Sequence, residues 1–262
     1  MSEARAIYAI WLRDIKRLWL DRARILIGLL QPALYLFVLG SGLGSVTRIA
    51  GGKGDYIQFI FPGVIGLTVL FTAVFSAVSI VFDREFGFLK EVLVAPVSRR
   101  AIAIGKSLSG STQATVQGIL ILIFAPLAGV HFGFGELLGL IVIMALTGFA
   151  MTSFGVLFAA RFRSTEAFPI VINGILLPLF FLSGALYPVT NLPVWLTPFV
   201  HIDPLTYGID AMRGAALPKG LEVGPGVFVP AHVYPIWLSV AVIVAFGLVM
   251  VWLAVWQFSR AE

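Results

Sequence analysis

Residues 137–160 read LLGLIVIMALTGFAMTSFGVLFAA, and residues 57–82 read IQFIFPGVIGLTVLFTAVFSAVSIVF. Neither stretch holds an Asp, Glu, Lys or Arg. Wound as helices, they run about 36 and 39 Å at 1.5 Å per residue, more than the roughly 30 Å hydrocarbon core of a bilayer. Four further apolar stretches flank them, at 25–46, 106–130, 168–187 and 233–258. The 168–187 stretch is the weakest: it opens near Pro169 and carries Pro178 and Ser183-Gly184, so a break is expected in it. Over the whole chain of 262 residues, 59% are apolar and 12% charged, and mean hydropathy is +1.00. Soluble domains run at about 45–50% and 25%. Such a chain lacks the polar surface to cover a water-soluble globule. The fold class expected is an all-α integral membrane protein with six transmembrane helices in a single domain over 1–262.

The charges set the orientation. The leader 1–24 carries Arg5, Arg13, Lys16, Arg17, Arg22 and Arg24. The first apolar stretch exceeds the 7–15 residues of a signal-peptide core, so it is read as a retained span. With the N-terminus inside, 14 of the 18 basic residues fall on the cytoplasmic side. The other four, Arg48, Lys53, Arg213 and Lys219, fall outside. The positive-inside rule therefore gives a plasma-membrane protein with both termini cytoplasmic. The excess of +5 is spent on topology, and no nucleic-acid partner is implied. No acidic residue lies in the middle of a span, which argues against a proton-coupled pump.

Enzyme chemistry finds no foothold. There is no Cys, and His131, His201 and His232 are scattered, so neither a thiol nucleophile nor a metal-ligand spacing is present. GxSxG and HExxH are absent. Gly105-Lys106-Ser107 resembles the end of a P-loop, but that motif needs Gly where Arg100 stands. Lys106 is read instead as snorkelling at a helix start. No catalytic residue and no metal site is expected. Gly40-x-x-x-Gly44 and Gly129-x-x-x-Gly133 are spacings that permit close helix contact.

Three amphipathic or irregular segments remain. In 3–22, Ile7, Trp11, Ile15, Leu18 and Trp19 share a helical face beside basic residues, the pattern of an interfacial helix. In 83–100, Phe86, Leu89, Val92 and Leu93 share one face and Arg84, Gly87, Lys90 and Glu91 the opposite one. Asp83 is placed to cap the start and Pro96 to stop it. Residues 188–232 hold Pro188, Pro193, Pro198 and Pro204 among Trp195, Leu196, Phe199 and Val200. They are too apolar for a free loop and too broken for a span, so short helices dipping into the outer leaflet are expected, with Asp210 and Arg213 paired at i and i+3.

Together these segments resemble an ABC-2-type transporter permease, the membrane subunit of an ABC exporter. The resemblance covers nearly the whole chain and rests on four marks: the basic leader, FDREFGFLKEVLVAPVSR (82–99) with Gly105-Lys106, FLSGALYP (181–188) and DPLTYGIDAMRG (203–214). The closest branch is that of daunorubicin resistance and nodulation-factor export. Polysaccharide exporters share the architecture.

The resemblance implies six spans, a permease dimer (a homodimer in the simplest case) set in lipid, and two ATPase subunits that hold the ATP and Mg. This chain then needs no cofactor of its own. Segment 83–100 becomes the coupling helix. Arg84, Glu85, Gly87, Lys90 and Glu91 would face the ATPase, and Phe86, Leu89 and Leu93 would anchor the helix. Residues 188–213 become an exoplasmic re-entrant hairpin, with Tyr187, Pro188, Asp210 and Arg213 as a gate. Gln31, Tyr35, Gln58, Asn173, Phe180 and Phe181 become pathway candidates, a lining suited to an amphipathic drug, lipid or glycolipid. A glycan exporter is the neighbouring alternative, and a scaffold subunit with no transport path is the reading of another class.

Overall fold

The computed structural model describes residues 3–49, 56–85, 98–162, 164–190, 192–224 and 227–260. The described chain is helical apart from one small hairpin. Helix α1 (Glu3–Leu20) precedes a first span made of α2 (Arg22–Leu34), a π turn (Tyr35–Leu39) and α3 (Gly40–Ile49). The second span is α4 (Tyr56–Ser76) continued by α5 (Val78–Glu85), the third α6 (Arg99–Ile121), and the fourth α7 (Phe134–Ala159). Then come α8 (Ala167–Leu182), α9 (Thr197–Ile202), α10 (Pro204–Ala216) and α11 (Ile236–Arg260).

Among the described residues, five helical stretches are long and apolar enough to cross a membrane. The 168–187 stretch yields only α8, of 16 residues or about 24 Å. Its stop has a local cause. Gly184 takes φ +71°, a left-handed conformation that ends the helix. Segment 188–232 is also not purely helical. After α9 and α10 it forms an antiparallel pair, β1 (Leu221–Gly224) with β2 (Val227–Val229), which the all-α expectation did not include.

The core is built around α4, whose residues from Phe59 to Leu70 are all buried. It packs against α6, α7 and α10. Lipid-like surroundings supply no hydrophobic drive between helices, so close packing must, and small residues permit it. A Cβ on Gly110 would lie 2.2 Å from Ser76 Oγ and 2.3 Å from Thr152 Cγ2, so α4, α6 and α7 meet there. Gly40 lies close against Ile57, whereas Gly129 stands in a turn at φ +73° against the Gln58 side chain of α4. Helices α2, α8 and α11 carry much of the exposed apolar surface, including Leu30, Ile170 and Trp252.

Both chain ends lie at one face of the bundle. Ser98 caps α6, its Oγ accepting from Ala101 N and donating to Glu3 Oε1 (2.8 Å). One residue on, Arg99 donates to the Phe258 carbonyl (2.7 Å). The cap at Ser98 starts α6 earlier than the apolar stretch at 106 does, and so carries Lys106 inside the bundle.

Candidate functional site

The packed face of α1 is Ala6, Ile10, Asp14 and Leu18, an i+4 ladder. It crosses α6 where Gly105 leaves room: Ile10 and the Ile7 carbonyl come within 3.1–3.3 Å of a Cβ built there. Trp11 Nε1 donates to Thr112 Oγ1 (3.0 Å). Trp19, expected on the apolar face, is 62% exposed.

This packing buries charge. Lys106 Nζ sits 3.0 Å from Asp14 Oδ2 and 3.5 Å from Asp83 Oδ2, and donates to Ser79 Oγ (2.9 Å). Arg13 reaches both carboxylates at 3.3 Å. Ser109 Oγ donates to Asp14 Oδ2 (3.1 Å). Two cations and two anions from three elements thus neutralise one another, and a cleft of about 170 Å³ lies beside them. Two sequence readings are corrected here. Lys106 does not snorkel to the surface but is 4% exposed within the network. Asp83 does not cap a new helix but belongs to α5, which continues the second span.

The next two residues, Arg84 and Glu85, end α5. Arg84 donates to the Ala160 carbonyl (2.7 Å) and the Phe162 carbonyl (3.2 Å). Exposed Glu85 accepts from Thr165 N (2.8 Å). Both side chains therefore hold the 160–166 loop, the short connection between α7 and α8. Of the other coupling-segment candidates, Phe86, Gly87, Leu89, Lys90, Glu91 and Leu93 lie outside the described residues, as does Pro96.

The far end is organised differently. Asp203 caps α10, its Oδ1 accepting from Leu205 N (2.9 Å). Burial pushes its carboxyl up to about 7, against the opposing pull of the bonds from Leu205 and Thr206. Asp210 and Arg213 attract one another along α10, but their hydrogen bonds go to main chain. The Asp210 carboxylate accepts from Val233 N and Tyr234 N (2.8 and 3.1 Å), fixing the chain that enters α11. Burial raises its pKa, and these bonds pull the other way. Arg213 instead donates to the Gly184 carbonyl (2.7 Å) with its guanidinium 4.6 Å from the Phe59 ring centre. Burial lowers it to about 10. Gly184, Arg213 and Phe59 thus lock the turn after α8 to α10 and α4. Tyr56 OH adds a bond to the Leu186 carbonyl (2.7 Å), and Tyr187 OH turns back to the Leu182 carbonyl. Pro188 follows in the same turn.

The pathway candidates do not converge. Tyr35 meets Phe180 edge-on at 6.3 Å, and Phe180 meets Phe181 at 5.6 Å. Asn173 is exposed on α8. Gln58 donates to the Gly129 carbonyl at the turn before α7. Gln31 lies elsewhere, on a cleft between the first three spans with Gln113 and Gln117. Sequence reasoning passed over Asp14, Gln113 and Gln117. Their signal was visible: polar residues at i+4 spacing on faces that otherwise pack.

The arrangement defines a multi-pass membrane protein with a charged, interlocked face around the exit of one connecting segment. Residues 5–217 match the model of the ABC-2 type transporter family, and the chain belongs to that family. Its relatives include transport permease ycf38 of Cyanophora paradoxa, 32% identical over 76% of this chain and 71% of that one. Nodulation protein J of Rhizobium leguminosarum bv. viciae is also 32% identical, over 80% and 81%. Nodulation protein J of Rhizobium meliloti is 30% identical over 90% and 91%.

Proposed function

We propose that this chain is the permease subunit of an ATP-driven exporter that moves an amphipathic substrate out of the cytoplasm or inner leaflet. It works as a homodimer with two ATPase subunits that bind ATP and Mg²⁺, and both its termini face the cytoplasm. Segment 83–100 is its coupling helix, and 188–213 closes the outer side. Helix α8, with the turn held by Gly184, completes a sixth crossing.

The observation that carries this reading is the network of Arg13, Asp14, Asp83 and Lys106. Force delivered by a separate ATPase must pass from a projecting segment into the bundle. At the root of that segment, these four charges tie α1, α5 and α6 into one body. Glu85 and Arg84 extend the tie to the 160–166 loop. A push on 86–97 then reaches the second, third and fourth spans together. The exposed apolar faces of α2 and α8 supply surface for the second copy and for lipid.

The test is reconstitution. The chain is co-purified with an ABC ATPase subunit and placed in liposomes, and ATP-dependent movement of a fluorescent amphiphile is followed. Glu85→Ala is expected to insert and dimerise normally yet to lower transport and its coupling to hydrolysis. Failure to recover any ATPase with the chain in mild detergent, or ATP-independent movement, refutes the reading.

A further inference from the structure

The cleft between α2, α4 and α6 has about 240 Å³ of room and, among the described residues, no charged side chain in its lining; the adjoining cleft, which shares Leu18 and Gln113, holds Asp14, Arg17 and Asp21. Pockets for whole drug-sized ligands run from about 300 Å³ upward, so this one fits a head group rather than an entire molecule. Its polar lining is unusual for membrane depth. Gln113 is only 9% exposed, yet its amide has no protein partner among the described residues. The amide opens onto the cleft, where a ligand group can satisfy it. Four residues on, Gln117 donates to the Ile25 carbonyl (3.0 Å). Gly28 makes room for it, since a Cβ there would lie 2.9 Å from Gln117 Nε2.

Backbone chemistry adds a second, independent observation. Pro32 lies within α2 and lines the cleft. It has no N–H, so the Gly28 carbonyl, four residues back on the same wall, loses its regular helical donor. Gln31 and Thr72 add an amide and a hydroxyl to the lining. Donors and acceptors are thus mixed, and all are neutral. Around them Ile25, Phe71 and Phe75 supply an apolar rim.

We infer that this cleft binds the uncharged, hydroxyl- or amide-bearing head of a single-chain amphiphile, with Gln113 as its central hydrogen-bonding group and the alkyl chain leaving across Phe71 and Phe75. The mixed lining satisfies a polyol, which both donates and accepts. Its described lining offers no counter-charge to a sulfate or an ammonium, since Asp14, Arg17 and Asp21 line the adjoining cleft rather than this one. The site lies within one copy of the chain. It draws on the exporter reading only for its purpose, as the point where a substrate head is held before it reaches the shared axis.

The test uses the full chain in phosphatidylcholine nanodiscs with no ATPase, so that it fails or succeeds independently of transport. The chain has no Cys, and Thr72→Cys puts a single thiol on the cleft wall. Its reaction with a maleimide is timed against octyl glucoside, octyl sulfate and octyltrimethylammonium at equal sub-micellar concentrations. The glucoside is expected to slow labelling and the two charged amphiphiles to leave it unchanged. Adding Gln113→Leu should weaken glucoside protection about 2- to 10-fold, the worth of one neutral hydrogen bond. Equal protection by all three amphiphiles, or by none, overturns the inference. So does a monodisperse Gln113→Leu variant that is protected as well as its parent. Should Gln113→Leu fail to fold, Gln31→Leu at the exposed wall takes its place, with the same expectation and the same refutation.

Discussion

Lys106→Met is the perturbation that most directly probes the charged network. Methionine keeps the length of the side chain and removes the cation. Asp14, with 8% of its side chain exposed, then keeps only Arg13 and the Ser109 hydroxyl, and one negative charge in the cluster stands uncompensated. Removing one member of a buried pair costs about 3–5 kcal/mol. Here Asp83 is 16% exposed and Arg13 51%, so water relieves part of the strain, and about 3 kcal/mol is expected. The partner change Asp14→Leu, made on top of Lys106→Met, leaves a neutral cluster of Arg13 and Asp83. Ser109 and Ser79 keep bonds to the Lys106 and Ser76 carbonyls in either variant. The double variant should therefore recover about half of the loss or more, because apolar side chains replace a buried ion pair at little cost. Unfolding in mixed micelles, followed by tryptophan fluorescence, measures the whole effect. Trp11, whose indole donates to Thr112, reports whether α1 stays docked. A single variant within about 0.5 kcal/mol of the parent, the range of ordinary surface changes, would refute the reasoning. A double variant as unstable as the single one would refute it too.

Other expectations concern the far end and the topology. Asp203 has its carboxyl raised from an ordinary 3.8 to about 7, so the folded chain holds a proton that the unfolded chain releases sooner. Stability should fall as pH rises across that window, by up to about 1.4 kcal/mol per pH unit, and Asp203→Asn, which also caps a helix, should flatten the slope. A parent and variant with equal slopes in thermal unfolding between pH 4 and 7 would dismiss this. Gly63→Ala would put a Cβ 2.2 Å from the Ala185 carbonyl oxygen, a backbone atom that cannot swing away, and should cost about 1–3 kcal/mol. Gly42→Ala, with nothing within 4 Å, is the matched control and should cost nothing by crowding. Single cysteines at Ser98 and Lys219 should react with an impermeant thiol reagent in intact cells only at 219; the opposite pattern inverts the orientation.

The spans were legible because a bilayer asks one simple thing of a sequence, some 20 apolar residues, and stretches such as 57–82 and 137–160 answer it without ambiguity. What the pattern could not show was where a helix starts relative to the apolar stretch. The Ser98 cap places α6 well before residue 106, and that displacement turns Lys106 from an edge residue into a buried one. Asp14 was passed over for a related reason. Ile7, Trp11 and Ile15 define an apolar stripe, but the face that packs is centred one position away, on Ala6, Ile10, Asp14 and Leu18. An interfacial helix and a docked one share the same moment, and only the partner surface around Gly105 decides between them. At Asp210 and Arg213 the i, i+3 spacing was real, yet both side chains found backbone partners from distant segments, which local spacing cannot foresee.

The two ends of the bundle solve the problem of buried charge in opposite ways. At the far end three groups are held chiefly by main chain: Asp203 by Leu205 N, with Thr206 Oγ1 a longer second donor, Asp210 by Val233 N and Tyr234 N, and Arg213 by the Gly184 carbonyl. A group held this way cannot leave without unpairing a fixed backbone donor or acceptor as well. At the α1 end the partners are side chains, and each cation already touches two carboxylates. Each cation therefore keeps a carboxylate within reach if the other shifts, so the cluster holds α1, α5 and α6 together without stranding a charge. The two ends therefore differ in kind: side-chain partners shared among three elements at one, main-chain partners fixed to one turn and one helix start at the other. On the proposed coupling role of segment 83–100, a push there would pass through the four charges to all three elements together.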